Sequence, residues 1–246
     1  MISHRIIVLC LAGVCSWVAV SAQWRLGVTA GATINCYTQE NSYAYDRVLT
    51  PGWGGTMGIS AQYNFFDWLG LRLDWTMAQR NYSSSFYFRE WTDFNGQLQH
   101  EQYRYTNIYH MIPIAVNFSF GGKYVRGYVD IGGYVAHWTF GRYTAHMADE
   151  YHGQWMEDLQ KRACATYTVS EPYIFDKRRD RRFDAGLTGR IGITYTTPVR
   201  LFISVEGVCY YGLMNNHLTG SDHYQQPGYH TTAALQIAIG YVFLQK

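Results

Sequence analysis

From Trp24 onward the chain alternates. Trp24, Leu26, Val28, Ala30, Ala32 and Ile34 interleave with Arg25, Gly27, Thr29, Gly31, Thr33 and Asn35. A period of two belongs to a strand whose faces meet different surroundings, and it excludes an amphipathic helix. The next run sets Met57, Ile59, Ala61, Tyr63 and Phe65 against Thr56, Gly58, Ser60, Gln62 and Asn64. A third sets Leu69, Leu71, Leu73, Trp75 and Met77 against Arg72, Asp74, Thr76 and Ala78. Residues 105 to 120, 124 to 139, 182 to 196, 199 to 213 and 231 to 243 repeat the pattern, which makes eight strands.

The connections alternate too. Phe66 to Trp68, Gly121 to Lys123 and Thr197 to Pro198 are short turns, whereas 36 to 52, 83 to 104, 140 to 181 and 214 to 230 read as long polar loops. Short links on one rim and long ones on the other describe an up-and-down antiparallel barrel. The third loop far exceeds the ~15 residues beyond which loops are uncommon in compact soluble domains, and suits the exterior of a membrane barrel.

Charges within the strands decide which face meets lipid. Arg25, Arg72, Asp74, Arg126, Asp130, Asp184, Arg190 and Glu206 all share the small-residue face. A soluble eight-stranded barrel would turn these outward and pack the Leu, Ile, Val and aromatic set into a lumen just wide enough for side chains. That set is too large for such a lumen, so the predicted fold is all-β, an eight-stranded up-and-down antiparallel transmembrane β-barrel. The eight inward charges balance, as a closed polar interior requires, because an unpaired buried charge costs several kcal/mol. Asp130, Arg190 and Glu206 fall at similar heights on consecutive strands, where an ion-pair layer can form. Such a network reads as a structural lumen plug; its functional alternative is a gated path for ions or solutes, which eight strands leave little room for.

Aromatic residues collect near strand ends: Trp24, Phe65, Phe66, Trp68, Tyr195 and Phe243 on the short-turn side, and Trp53, Tyr82, Tyr109, Trp138 and Tyr211 on the loop side. They are expected to form two girdles at headgroup level. Composition agrees. Aromatics are 17% of residues and charged residues 15%, with 24 Gly and 5 Pro, which suits strands and tight turns and excludes disorder, coiled coil and collagen. A formal net charge of +2 gives no pull toward nucleic acid.

Residues 1 to 22 are expected to be a signal peptide, with His4 and Arg5, an apolar run from Ile6 to Val20, and the small-residue end Val20-Ser21-Ala22. The run is shorter than the roughly 20 residues of a membrane-spanning helix. Neither Cys10 nor Cys15 follows the small residues of a lipid-attachment site. The barrel domain is then 23 to 246, keeping Cys36, Cys164 and Cys209, of which Cys36 and Cys164 are the pair considered for a disulfide.

In the segments WRLGVTAGATIN, NIYHMIPIAVNFSF, YVDIGGYVAHW, RRFDAGLTGRIGITY, YYGLMNN and IAIGYVF, taken in order and spacing, the chain resembles the small outer-membrane β-barrel proteins of the porin-family or PorT-like type of Gram-negative bacteria. One departure is that Leu244, Gln245 and Lys246 follow Phe243, where such barrels often close on an aromatic residue. The resemblance implies residence in the cell outer membrane after signal-peptide-dependent export. It does not imply transport, since "porin" there labels a fold.

No GxSxG, HExxH, CxxC or GxxxxGK motif is present. The histidines His100, His146, His152, His217, His223 and His230, with Asp149, Glu150 and Asp222, read as solvated loop polarity rather than a metal site or a His/acid pair. No catalytic residue, metal or cofactor is expected. The basic run Lys177, Arg178, Arg179, Arg181 and Arg182, where the third loop rejoins the sixth strand, sits where it can contact lipopolysaccharide phosphates. The expectation is a monomeric, non-enzymatic barrel with a plugged polar lumen, in contact with outer-membrane lipid and lipopolysaccharide. Its role would be structural or in binding through long loops, with solute passage or participation in protein secretion as the alternative.

Overall fold

The computed structural model describes residues 23–39, 46–92, 98–149, 155–156, 161–162, 165–178, 180–216 and 227–244. Their regular elements are all strands: β1 (Gln23–Gln39), β2 (Asp46–Asn64), β3 (Leu69–Gln79), β4 (Tyr82–Thr92), β5 (Leu98–Gly121), β6 (Val125–Asp149), β7 (Trp155–Met156), β8 (Lys161–Arg162), β9 (Ala165–Pro172), β10 (Phe183–Thr196), β11 (Leu201–Gly212) and β12 (Gly228–Leu244). The anticipated signal segment lies outside the described residues.

The sheet closes. β1 pairs antiparallel with β2 at Leu26↔Ala61 and with β12 at Leu26↔Tyr241. From there each stave pairs with the next, giving a ring of eight. β3 and β4 form one stave, both between β2 and β5. The break between them is held by Asn81, whose Nδ2 donates to Trp53 O at 2.7 Å and whose Oδ1 accepts from Asn107 N at 3.3 Å. β9 and β10 likewise share the far edge of β6, at Arg142↔Pro172 and His137↔Phe183.

The loop expectation is corrected by the strands' length. β5 has 24 residues and β6 has 25, where about 9 to 11 cross a bilayer, so ladders continue into stretches that read as loops. In YSSSFYFREWT the alternation fades, because above the bilayer neither face meets hydrocarbon, yet Tyr82–Thr92 still forms a strand. The short turns fall where expected. Phe65 N and Phe66 N both donate to Leu69 O, at 3.0 and 3.1 Å, and Gly122 N donates to Val125 O at 2.9 Å.

The distribution of exposure inverts that of a soluble domain. Ile131, Ile191 and Leu235 are 62%, 65% and 66% exposed, while Asp130, Glu206 and Thr232 are at most 1% exposed. An apolar exterior running round every stave far exceeds the patches that water tolerates. A closed ring leaves no unpaired edge, so this wall meets lipid, and the soluble alternative is excluded.

The short-turn girdle is in place, with Trp24, Phe66, Trp68, Tyr195 and Phe243 exposed, and Trp53 and Tyr211 match it on the other rim. Tyr109 and Trp138 depart from the expected girdle. They are buried inside, because 109 shares parity with lumen-facing Met111 and 138 with Tyr134 and Ala136. Tyr82 also turns inward, stacking on Tyr37 at 4.4 Å.

Candidate functional site in the lumen

Small inward residues leave room for a few long ones, and the long ones come from different staves at one height. Arg72 and Asp74 project from β3, Asp130 from β6, Arg190 from β10 and Glu206 from β11. Arg72 Nε bonds Asp74 Oδ1 at 2.9 Å, while its Nη1 and Nη2 bond Glu206 Oε1 and Oε2 at 3.0 and 3.2 Å. Arg190 Nη2 bonds Asp74 Oδ2 at 2.5 Å and its Nη1 bonds Asp130 Oδ2 at 3.3 Å. Arg190 Nε lies 3.5 Å from Glu206 Oε2.

Two guanidiniums here meet three carboxylates, and neutral donors take up the excess. Tyr128 OH donates to Glu206 Oε1 at 2.6 Å, Gln236 Nε2 to Glu206 Oε2 at 2.9 Å and Asn117 Nδ2 to Asp130 Oδ1 at 2.5 Å. Every carboxylate oxygen in this layer therefore accepts a hydrogen bond, which buried charge requires.

A second pair lies nearer the outer rim. Asp184 does not join the layer; its Oδ2 accepts from Arg80 Nη1 at 2.5 Å and from Tyr134 OH at 3.1 Å. The fully buried Arg80 guanidinium also sits 4.7 Å from the Tyr109 ring centroid and 5.3 Å from that of Tyr134, a cation–π arrangement. Arg80 lies just beyond Ala78, where the third alternating run ends in the sequence. One further step of two along the same face reaches it.

Above this pair the lumen is aromatic. Trp138 stacks on Tyr109 and on Tyr173 at 5.8 and 5.1 Å, and Phe175 meets it edge-on at 4.8 Å. Asn35 Nδ2 lies 3.0 Å from His230 Nδ1, and Thr232 Oγ1 donates to Asn35 Oδ1 at 2.7 Å.

Arg25 and Arg126 also face inward but lie at the short-turn mouth, where no carboxylate bridges to them among the described residues. The eight expected residues thus divide three ways: five in one layer, Asp184 with Arg80, and two cations apart.

The histidines expected in loops do not converge among the described residues. His230 is buried in the lumen, His146 Nδ1 lies 2.9 Å from Thr168 Oγ1, and His100 and Asp149 fall on β5 and β6. His152, His217, His223, Glu150 and Asp222 lie outside the described residues, and among the described residues no group of His, Cys, Asp and Glu is placed to hold a metal. Cys36 and Cys209 are exposed free thiols on the outer wall, and Cys164 lies outside the described residues. In the basic run Lys177 and Arg178 are exposed, whereas Arg182 Nε donates to Trp138 O at 2.9 Å and its guanidinium covers Phe175 at 4.4 Å. Arg181 N bonds Asn216 O at 2.9 Å, and Arg179 lies outside the described residues.

A family model for the outer membrane protein beta-barrel domain matches residues 19–218. Among solved structures the chain is similar to Ail, the attachment invasion locus protein of Yersinia pestis, at 11% identity over 91% of this chain and 99% of that one, with a TM-score of 0.40. It is similar to OprG of Pseudomonas aeruginosa at 11% identity over 91% and 95%, TM-score 0.42, and to Neisserial surface protein A at 11% identity over 88% and 97%, TM-score 0.41. Comparison with curated proteins finds no match.

Proposed function

The chain belongs to the outer-membrane β-barrel family, and from that premise we propose that it is a non-enzymatic monomer whose lumen is plugged and whose role is structural or in binding at the cell surface. The observation that carries the plug is the Arg72–Glu206 bridge, a two-bond contact between staves on opposite sides of the ring. With Arg190 lashing Asp74, Asp130 and Glu206 to it, a solute would have to break several charge-assisted bonds at once. The aromatic stack of Tyr109, Trp138 and Tyr173 is a second obstruction above it.

Binding then falls to the strands that stand beyond the bilayer, β4, β9 and the outer parts of β5 and β6. The non-enzymatic reading is supported by the scatter of the histidines expected in loops: among the described residues, His230 lies with Asn35 in the lumen and His146 with Thr168 on the outer extension. Lys177 and Arg178 keep their charges at the surface and supply the contact to lipopolysaccharide phosphates.

Planar-bilayer recording of the refolded protein tests the plug. The expected result is no stable conductance step; regular steps of uniform size would favour passage of small solutes instead.

A further inference from the structure

The short-turn mouth is short of negative charge. A recess of about 560 Å³ opens there, and Arg25, Arg126, Lys123 and Arg200 line it with a single carboxylate-bearing residue, Asp67. Arg126 donates to the backbone carbonyl of Asp67. Arg25 Nε and Arg126 Nε are both shielded from solvent and have no hydrogen-bond partner. Elsewhere in the lumen the protein supplies carboxylates to its arginines: Arg72 meets Glu206, Arg190 meets Asp74, and Arg80 meets Asp184. At the mouth it brings like charges into one recess and leaves them without such partners.

Arg200 adds an independent observation. It is the one described non-glycine residue with positive φ, at 69°, in the turn closed by Arg200 N→Thr197 O at 3.0 Å. Hairpins of this kind favour Gly or Asn at the left-handed position. At the β5–β6 turn the positive φ falls on a glycine, Gly121 at 124°, the last residue of β5. An arginine accepts strain at Arg200 that glycine would avoid, and Arg200 is among the residues that line the recess.

We infer that the mouth is a binding site for a phosphate-type oxyanion, held by Arg25 and Arg126 from the barrel wall and by Arg200 and Lys123 from the turns. Guanidinium forks match phosphate oxygens two at a time, and an ammonium adds a point charge. The anion comes either from a phospholipid headgroup of the periplasmic leaflet, which lies at the height of Trp24, Phe243 and Tyr195, or from a soluble phosphate.

The test uses the refolded full barrel, with folding checked by its electrophoretic heat shift. Inorganic phosphate is titrated in zwitterionic detergent and followed by phosphorus NMR line broadening. Separately, retention of phosphatidylglycerol over phosphatidylcholine is read from mixed nanodiscs. R25Q/R126Q is expected to weaken the signal about tenfold, with R142Q, on the outer extension, leaving it unchanged. Broadening of free phosphate with that variant pattern identifies the soluble source, and selective lipid retention without it identifies the headgroup. R200G places the residue the turn prefers and removes one guanidinium, so it should fold at least as well and still weaken binding. No signal from either probe, or a signal that R25Q/R126Q and R200G leave unchanged, overturns the inference. So does preferential capture of a poly-glutamate peptide over both phosphate probes.

Discussion

Arg72 and Glu206 stand on β3 and β11, four staves apart in a ring of eight, and meet through parallel bonds of 3.0 and 3.2 Å. A bidentate bridge across the full diameter braces the barrel at its narrowest chemistry. Because the layer holds two arginines and three carboxylates, its two ends are not equivalent. Arg72→Met leaves one arginine facing three carboxylates and should cost about 3 to 5 kcal/mol, the range for stranding buried charge. Glu206→Gln leaves two against two and should cost about 1 to 3 kcal/mol, from unmade hydrogen bonds alone. Urea midpoints of both variants refolded into the same lipid test this ordering, and an equal or reversed order would refute it.

Most of this layer was legible from strand parity. Arg72, Asp74, Asp130, Arg190 and Glu206 are each flanked by outward apolar residues, and alternation puts five charges inside with no other information. What parity alone does not give is height, which distance from the short turns supplies for Asp130, Arg190 and Glu206 only. Arg25 and Arg126 share the inner face but sit at the mouth, and Asp184 is too high on β10 to reach the layer, so one balanced set became three groups. Arg80 escapes the pattern because the alternating run ends at Ala78, short of the ladder break at Asn81. Tyr109 and Trp138 leave the expected girdle for the opposite reason: they lie near strand ends, but parity turns them inward. The outer strands were hidden because their two faces meet similar surroundings.

Arg80 and Asp184 should behave as one unit. The guanidinium is fully buried between the Tyr109 and Tyr134 rings and Asp184. Arg80→Leu or Asp184→Leu alone strands a charge and should cost about 3 to 5 kcal/mol, whereas the double replacement removes both charges and should cost less than either. A double-mutant cycle on urea unfolding measures this coupling, and additive costs would mean that the pair is not energetically linked.

The lipid wall predicts a depth dependence along a single strand. Ile237 and Thr231 both face outward on β12, the first paired with Ala30 and Val205 within the band, the second beside Tyr211 at the girdle. Ile237→Arg should destabilise by about 2 to 4 kcal/mol and Thr231→Arg by about 0 to 1 kcal/mol. Equal costs at the two positions, measured by reversible unfolding in vesicles, would place the hydrocarbon elsewhere.

Two glycines facing each other near the short-turn rim should differ in how they can be rescued. Gly27 and Gly240 are direct partners across β1 and β12, and the inward ring of Phe202 lies over both. A Cβ at Gly27 would meet Phe202 Cζ first, at 2.9 Å, a side chain that can be shortened, with the backbone Ile239 O at 3.0 Å behind it. One at Gly240 would sit 2.6 Å from Phe202 Cε1 but also closer still to Leu26 O and 2.6 Å from the Gly27 Cα, backbone that cannot move without breaking the ladder. Gly27→Ala should therefore cost about 1 to 3 kcal/mol by overpacking, and Phe202→Leu in the same chain should recover part of it. Gly240→Ala should cost more and gain little from Phe202→Leu. The heat-shift temperature of the single and double variants reads both, and equal rescue at the two positions would show that the ring, and not the backbone, sets the limit at Gly240.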